Sequence, residues 1–558
     1  MSAWTFLFTM DLMIFKLFNL RTNTIRTTAI LLGVSAFLSR VLGLFRDNLL
    51  ATLLDKTKTD IYFAAFRIPD FIYGILIAGG IAATFLPLFA DSFKKNRKEA
   101  ENFLNSVLTI FLMIMIVVCA ILAVFTPQLI DLITPGFSQA EKATAVSLTR
   151  IMLLSPILLG LSSVFSGLLH YFNLFFAFSL APILYNLGII FGILFFEPAF
   201  GIKGLAFGVI LGAFFHFLVQ IPSVLRLKFR INFAFNLKNP NLKKLLYLTL
   251  PRMFGSAAFH INLIIITAIA STLEPGSLSI FNFSNNIYWV PIGLIGISFA
   301  TASFPFLTRN WALGQIEDFK RKFSSVFSHI FFLIIPLSFL MFFLRKQIVE
   351  LIFGTSIMEA SYFSQAQLSL TAASLGVFSF SLFAAALIPF LARAFFAILD
   401  TKTPVKIAIF SVTLNIFLCY FFIWSLGNSG LFRGLVVNFL GINDVKDISV
   451  IGLSLAISLT SIIQFFLLSF YLKRKIKELN FKEIYQNLIK TLVSAILMSV
   501  FVIFSLNILD IFTQRGTLFL LLYTLLTAGI GVFSYFIFSL ILKSKEAISI
   551  LRTIFFKF

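Results

Sequence analysis

The chain has 558 residues, 59% of them hydrophobic, with a mean hydropathy of +0.99 and a formal net charge of +21. Repeated apolar runs of about 20 residues or more exclude a soluble protein, because a backbone in lipid must satisfy its own hydrogen bonds inside helices or a closed barrel. The basic residues alternate from loop to loop and do not gather on one soluble segment, which argues against nucleic acid as a partner.

Residues 1–26 hold a short apolar start broken by Asp11 and Lys16. They lack a basic leader region and a small-residue cleavage site, so an interfacial helix is predicted in place of a signal peptide. Two apolar runs follow between Thr28 and Phe89, hinged at Asp55–Lys58, and each is long enough to span a bilayer. Arg40, Arg46 and Asp47 sit inside the first; Asp60, Arg67 and Asp70 sit inside the second. At about 2.5–3.5 kcal/mol per arginine at mid-membrane, three arginines facing lipid would cost about 8–10 kcal/mol. They must face something polar. At about 100° per residue, Ser39, Arg40, Gly43, Arg46 and Asp47 share an arc of about 120°, opposite Phe37, Leu38, Val41, Leu42, Leu44 and Phe45. Asp60 and Arg67 share a face in the same way. Two readings are open: the charges pair with each other and brace the helices, or they line a hydrated cavity for an anion, since arginine offers the planar bidentate donors that suit phosphate.

Further spans are predicted near 103–125, 144–172, 175–196, 202–226, 243–272, 278–306, 325–345, 364–397, 404–426, 448–472, 488–509 and 517–542. With the opening pair these make an all-α polytopic membrane protein of about fourteen transmembrane helices. The loops near 94–98, 226–244, 309–322, 402–406 and 473–482 are basic and the intervening ones are not. The positive-inside rule then places the basic set and both termini in the cytoplasm. An internal repeat aligns AATFLPLF (82–89) with ATASFPFL (300–307), and Pro182 and Asn186 with Pro404 and Asn415. It predicts two pseudo-symmetric six-helix lobes, 27–230 and 240–475, followed by two added helices within 485–545 and a cytoplasmic tail, 546–558.

Cys119 and Cys419 stand far apart in apolar runs, and His170, His216, His260 and His329 show no metal-binding spacing. Each histidine reads as a packed or interfacial residue. No Walker-type loop is present, so the chain itself consumes no ATP, and no His, Glu or Cys constellation marks an enzyme.

The runs LSRVLGLFRD (38–47), TDIYFAAFRIPD (59–70), TPGF (134–137), APILYN (181–186) and DTKTPVKIAI (400–409) resemble the MurJ (MviN) lipid II flippase family over nearly the whole chain. That family shares a superfamily with MATE-type multidrug exporters and polysaccharide-unit flippases. The resemblance implies a transporter of the bacterial inner membrane. Its substrate would be undecaprenyl-diphosphate-linked disaccharide-pentapeptide, moved between leaflets by alternating access for peptidoglycan assembly. By similarity Ser39, Arg40, Arg46 and Asp60 match the family's cavity residues, Ser279 matches a serine of the eighth span, and Arg67 joins the set. The last two spans are implied to shape a groove for the prenyl tail, and Ala528, Gly529 and Gly531 thin one of them. The chain departs from the family where Tyr73 and Asn285–Asn286 replace basic or acidic-basic positions; Arg252 is a candidate replacement for the positive charge lost at Asn286, or else an interfacial anchor. The driving force is open between membrane potential and a coupled cation, for which Asn262, Thr267 and Asn415 are candidate ligands, and a monomer without cofactor is expected. The alternatives are export of another lipid-linked glycan or a drug, and a non-transporting scaffold for cell-wall enzymes.

Overall fold

In the computed structural model, the described residues are 25–76, 82–236, 239–354, 361–476, 481–509 and 516–555. The interfacial helix predicted for 1–26 lies outside them, apart from its last two residues. Among the described residues every regular element is helical, and eleven helices are long and apolar enough to cross a membrane. Three more occupy predicted spans, Ile25–Leu53, Lys56–Ile72 and Pro240–Ser271. Lys56–Ile72 has 17 residues and is short for a span, and the three carry the charged residues of the opening pair and Lys243, Lys244 and His260.

The chain packs as two compact units, one running to Leu50 and resuming over Lys56–Thr272, the other comprising Ala51–Asp55 and the chain from Leu273. The first holds α1 (Ile25–Leu53), α2 (Lys56–Ile72), α3 (Ala82–Lys95), α4 (Arg97–Ile133), α5 (Gln139–Met152), α6 (Leu154–Tyr171), α7 (Phe175–Phe191), α8 (Glu197–Phe200), α9 (Lys203–Leu218), α10 (Ile221–Arg226) and α11 (Pro240–Ser271). Polar residues set their ends. Asn96 caps α4 by accepting from the Glu99 N–H, and Ser138 with Glu141 forms a capping box on α5. Between them the TPGF turn brings Gly136 onto the end of α11, where a Cβ would lie 2.1 Å from the Ser271 carbonyl oxygen. Only glycine permits that approach.

Glycines also join α7 to α9. Gly188 and Gly192 on one side face Gly204, Gly208 and Gly212 on the other, each set spaced by four residues so that it forms one stripe. A Cβ on Gly188 would meet the Gly212 Cα at 2.3 Å, and one on Gly192 would meet the Gly208 Cα at 2.3 Å. The two backbones are in contact, as small residues allow between membrane helices. Gly208→Val should therefore destabilise the folded protein by about 1–3 kcal/mol, the usual cost of overpacking, read as a lower melting temperature in detergent. Gly529→Ala, with nothing within 4 Å of the added methyl, should leave it unchanged. Equal behaviour of the two variants would refute the ladder.

The second unit holds α12 (Ser277–Pro291), α13 (Ser298–Ala312), α14 (Ile316–Phe343), α15 (Arg345–Val349), α16 (Gln365–Ala397), α17 (Lys402–Gly427), α18 (Leu431–Leu440), α19 (Ile451–Lys475), α20 (Phe481–Leu509), α21 (Thr517–Ile541) and α22 (Lys545–Phe555). Helix α16 is its axle, burying Phe378, Phe390 and Phe395 completely. Its Ser381 hydroxyl bonds Tyr288 Oη of α12 at 2.9 Å and Ser458 Oγ of α19 at 3.1 Å. Helix α21 is pinned to α14 through Tyr535 Oη donating to the Phe332 carbonyl at 2.7 Å. Gly531 packs against Leu340 and Val502, whereas Gly529 is open, so only part of the small-residue stripe of α21 is free of helix contacts.

The DTKTP motif closes the α16–α17 turn. Asp400 accepts from the Thr403 N–H at 3.1 Å and from Lys475 Nζ at the end of α19. Burial alone would push this carboxyl up, but the hydrogen bonds from Lys475 and Thr403 outweigh it and hold the pKa at about 2. A depressed carboxylate stabilises the fold above its unfolded pKa of about 3.9, and that stability is lost as pH falls towards 2. Asp400→Asn should lower the melting temperature at neutral pH, and the gap from wild type should close between about pH 4 and 2. A gap unchanged over that range would rule out the carboxylate as its cause.

Candidate functional site

The polar arc of α1 meets α7. Arg46 donates to Asp47 Oδ1 twice, from Nε at 3.0 Å and Nη2 at 2.7 Å, and from Nη1 to Asn186 Oδ1 at 3.3 Å. Asn186 turns its amide Nδ2 to the Ser39 carbonyl and hydroxyl, both at 3.2 Å, and to the Pro182 carbonyl at 3.1 Å. Asp47 is 1% exposed. A carboxylate so buried needs an ion partner and hydrogen bonds, and Arg46 supplies Asp47 Oδ1 with both. Gly43 lies beside the cluster, with an added Cβ placed at ordinary contact distance, 3.8 Å, from Asn186 Oδ1. Arg40 differs. It is exposed and makes no hydrogen bond or ion pair among the described residues.

A second cluster lies between α2 and α11. Arg67 Nε donates to Thr267 Oγ1 at 2.7 Å, and that hydroxyl donates to the Leu263 carbonyl at 2.9 Å. One turn on, Asp70 Oδ2 stands 4.0 Å from His260 Nδ1. The chain then enters a π-helical turn over residues 73–76. Here Gly74 makes way for the imidazole: a Cβ would fall 1.8 Å from His260 Nε2. Tyr185, next to Asn186, is within electrostatic reach of Arg46 and Tyr62 and also of Asp70 and Tyr73, so the two clusters border one region of the unit.

The remaining predicted residues are placed as follows. Asp60 is buried in α2. Ser279 and Asn286 belong to the second unit, where Ser279 Oγ donates to the Gly276 carbonyl at 2.8 Å and Asn286 is half-buried. Arg252 lies within α11, but its side chain is outside what the structure describes. Of the three candidate cation ligands, Thr267 serves Arg67 and so accepts from a cationic side chain already. Asn262 Oδ1 and Asn415 Nδ2 are buried with no partner among the described residues. No group of three or more His, Cys, Asp and Glu that could hold a metal ion occurs among the described residues.

The sequence profile of the family described as "Lipid II flippase MurJ" matches residues 50–527. The chain belongs to the MurJ family. Among curated relatives, the probable lipid II flippase MurJ of Buchnera aphidicola subsp. Schizaphis graminum is 28% identical over 481 residues, covering 85% of this chain and 88% of its own length. That of Rickettsia prowazekii is 28% identical over 396 residues, covering 70% and 77%. A solved lipid II flippase MurJ in an inward closed conformation superposes with a TM-score of 0.71 at 24% identity, over 92% of this chain and 98% of its own. An inward-facing MATE multidrug transporter of the MOP superfamily gives 0.62 at 14% identity, over 79% and 95%. The MurJ and MATE-like fold and the multi-pass membrane character follow from these matches and the eleven apolar helices.

Three residues of the two clusters were not read as site residues in the sequence. Asn186 carried a signal, its place at the end of APILYN. His260 and Gly74 carried none beyond being polar or small within a span.

If the Arg46 cluster holds α1 and α7 together, stranding its cation should be worse than losing the amide. Asp47→Ala should cost about 3–5 kcal/mol and Asn186→Ala about 1–3 kcal/mol, compared by thermal unfolding in detergent. Losses in the reverse order would show that Asp47 is not the principal counter-charge.

Proposed function

We propose that this chain moves lipid II from the inner to the outer leaflet by alternating access, with intramembrane arginines taking the diphosphate. Membership of the MurJ family over residues 50–527 supports the substrate, and relatives of the chain are named for that substrate. The observation that carries the head-group reading is Arg40, an exposed guanidinium on a membrane-length helix with no partner among the described residues. Keeping such a group unpaired in a membrane protein is costly unless a ligand or water answers it. Planar guanidinium donors match two phosphate oxygens at once. Arg46 enters differently, because three of its five N–H donors are already taken by Asp47 and Asn186 in this conformation. A diphosphate would meet it through the second hydrogens of Nη1 and Nη2, on a guanidinium already half neutralised by Asp47.

In this reading the chain crosses the inner membrane fourteen times in two repeated lobes plus α20 and α21, with both termini in the cytoplasm. The last two helices guide the prenyl tail past the open side at Gly529. It works as a monomer with membrane potential or a cation as the driving force.

The test is growth of bacteria depleted of their own lipid II flippase and supplied with this gene. Wild type should restore growth. Arg40→Lys should be inserted at normal level with an unchanged melting temperature, yet fail to restore growth, since lysine keeps the charge and loses the fork. Arg46→Lys should lose stability as well. Absence of rescue by well-inserted wild type would reject lipid II as substrate, and full rescue by Arg40→Lys would reject the bidentate contact.

A further inference from the structure

The Arg67, Asp70 and His260 set is unlike the Arg46 cluster in one respect: its net charge is not fixed. Arg67 contributes +1 and Asp70 −1, so with a neutral imidazole the three sum to zero, and with a protonated one to +1. Among ordinary side chains only imidazole changes charge between about pH 5 and 8. The imidazole sits at ion-pair distance from a carboxylate, with Asp70 4.0 Å from Nδ1, and the missing side chain of Gly74 vacates the space against Nε2. Ligand and water can reach the pair, since the Asp70 side chain is 36% exposed and that of His260 15%.

We infer that His260 is a proton-switched binding residue, whose protonation makes this set positive and so admits a diphosphate anion to the first unit. The inference takes the identity of the ligand from the proposed function and nothing else. The surroundings leave His260 as the group that switches. On α2 the facing charged groups are Arg67 and Asp70, with the Tyr73 phenol beyond them. Helix α4, which also packs on α11, carries no charged residue over 102–130, and its titratable side chain there is Cys119. Helix α3 carries Asp91, Lys94 and Lys95, but its Ser92 bonds Asn241, nineteen positions before His260 and about 28 Å away along the helix. From Met253 to Ser271, α11 itself has no other charged residue. Tyr185 of α7 is the remaining titratable neighbour of Asp70.

The experiment measures binding of two probes, fluorescent lipid II and inorganic pyrophosphate, to the full-length protein in detergent at pH 5.5 and 7.5. The anion's own protonation affects every variant alike, so the readout is the difference between variants. Relative to His260→Gln, wild type should bind both probes equally at pH 7.5 and more tightly at pH 5.5, approaching the roughly tenfold effect of one favourable charge contact as the pH is lowered further. Asp70→Asn removes the opposing charge and should bind tightly already at pH 7.5; it decides the matter if His260→Gln proves unstable. Parallel pH profiles for wild type and both folded variants would overturn the inference. Failure of lipid II to bind, with the switch kept for pyrophosphate, would reject the lipid II reading and leave the switch standing. Lipid II binding without a difference between variants would do the reverse, and binding of neither probe would reject both.

Discussion

A guanidinium in a low-dielectric interior needs an opposite charge and hydrogen-bond acceptors, and the first unit is built around that requirement at Arg46. Asp47 supplies the opposite charge from the next position in the chain, but it can take only part of the fork. Nη1 is met by Asn186 from another helix, which at the same time ties itself to Ser39. Asn186 can be there because Gly188, two positions on, lets α7 lie directly on α9. The charge on one helix is thus satisfied through the absence of side chains on two others.

The same unit solves the problem a second way between α2 and α11. Arg67 is met by a neutral hydroxyl, Thr267, and Asp70 by a histidine at ion-pair distance. The imidazole offers Asp70 an opposite charge only when it is protonated. The charge of this cluster therefore depends on one proton; that of the Arg46 cluster does not.

Much of this architecture was legible in the sequence, for reasons that can be named. Apolar runs give membrane helices because the bilayer core sets their length, and eleven of the predicted spans meet that standard. The arc through Ser39, Gly43, Arg46 and Asp47 was legible because helical periodicity alone places those residues together. The partners were not, because periodicity is a local signal: Asn186 is 140 residues from Arg46, and Thr267 is 200 from Arg67. His260 was read as packing because its meaning depends on Asp70 and on the gap at Gly74, neither visible from α11. The short helix α18 was likewise absorbed into a loop. It is fastened by Arg345 to its last carbonyl, Leu440, and by its own Arg433 to the Leu426 carbonyl of α17, contacts with no pattern in sequence.

The glycine ladder also bears on how this unit can move. Helices that touch through bulky side chains can slide by exchanging rotamers, but α7 and α9 meet backbone to backbone, with each Cα seated beside the one opposite. Sliding by less than a full four-residue step would drive those atoms into each other, so the pair behaves as a single beam. Any rearrangement of the unit must carry both helices together, and its flexure must fall at a joint elsewhere, such as the π-helical turn at residues 73–76, directly beside His260.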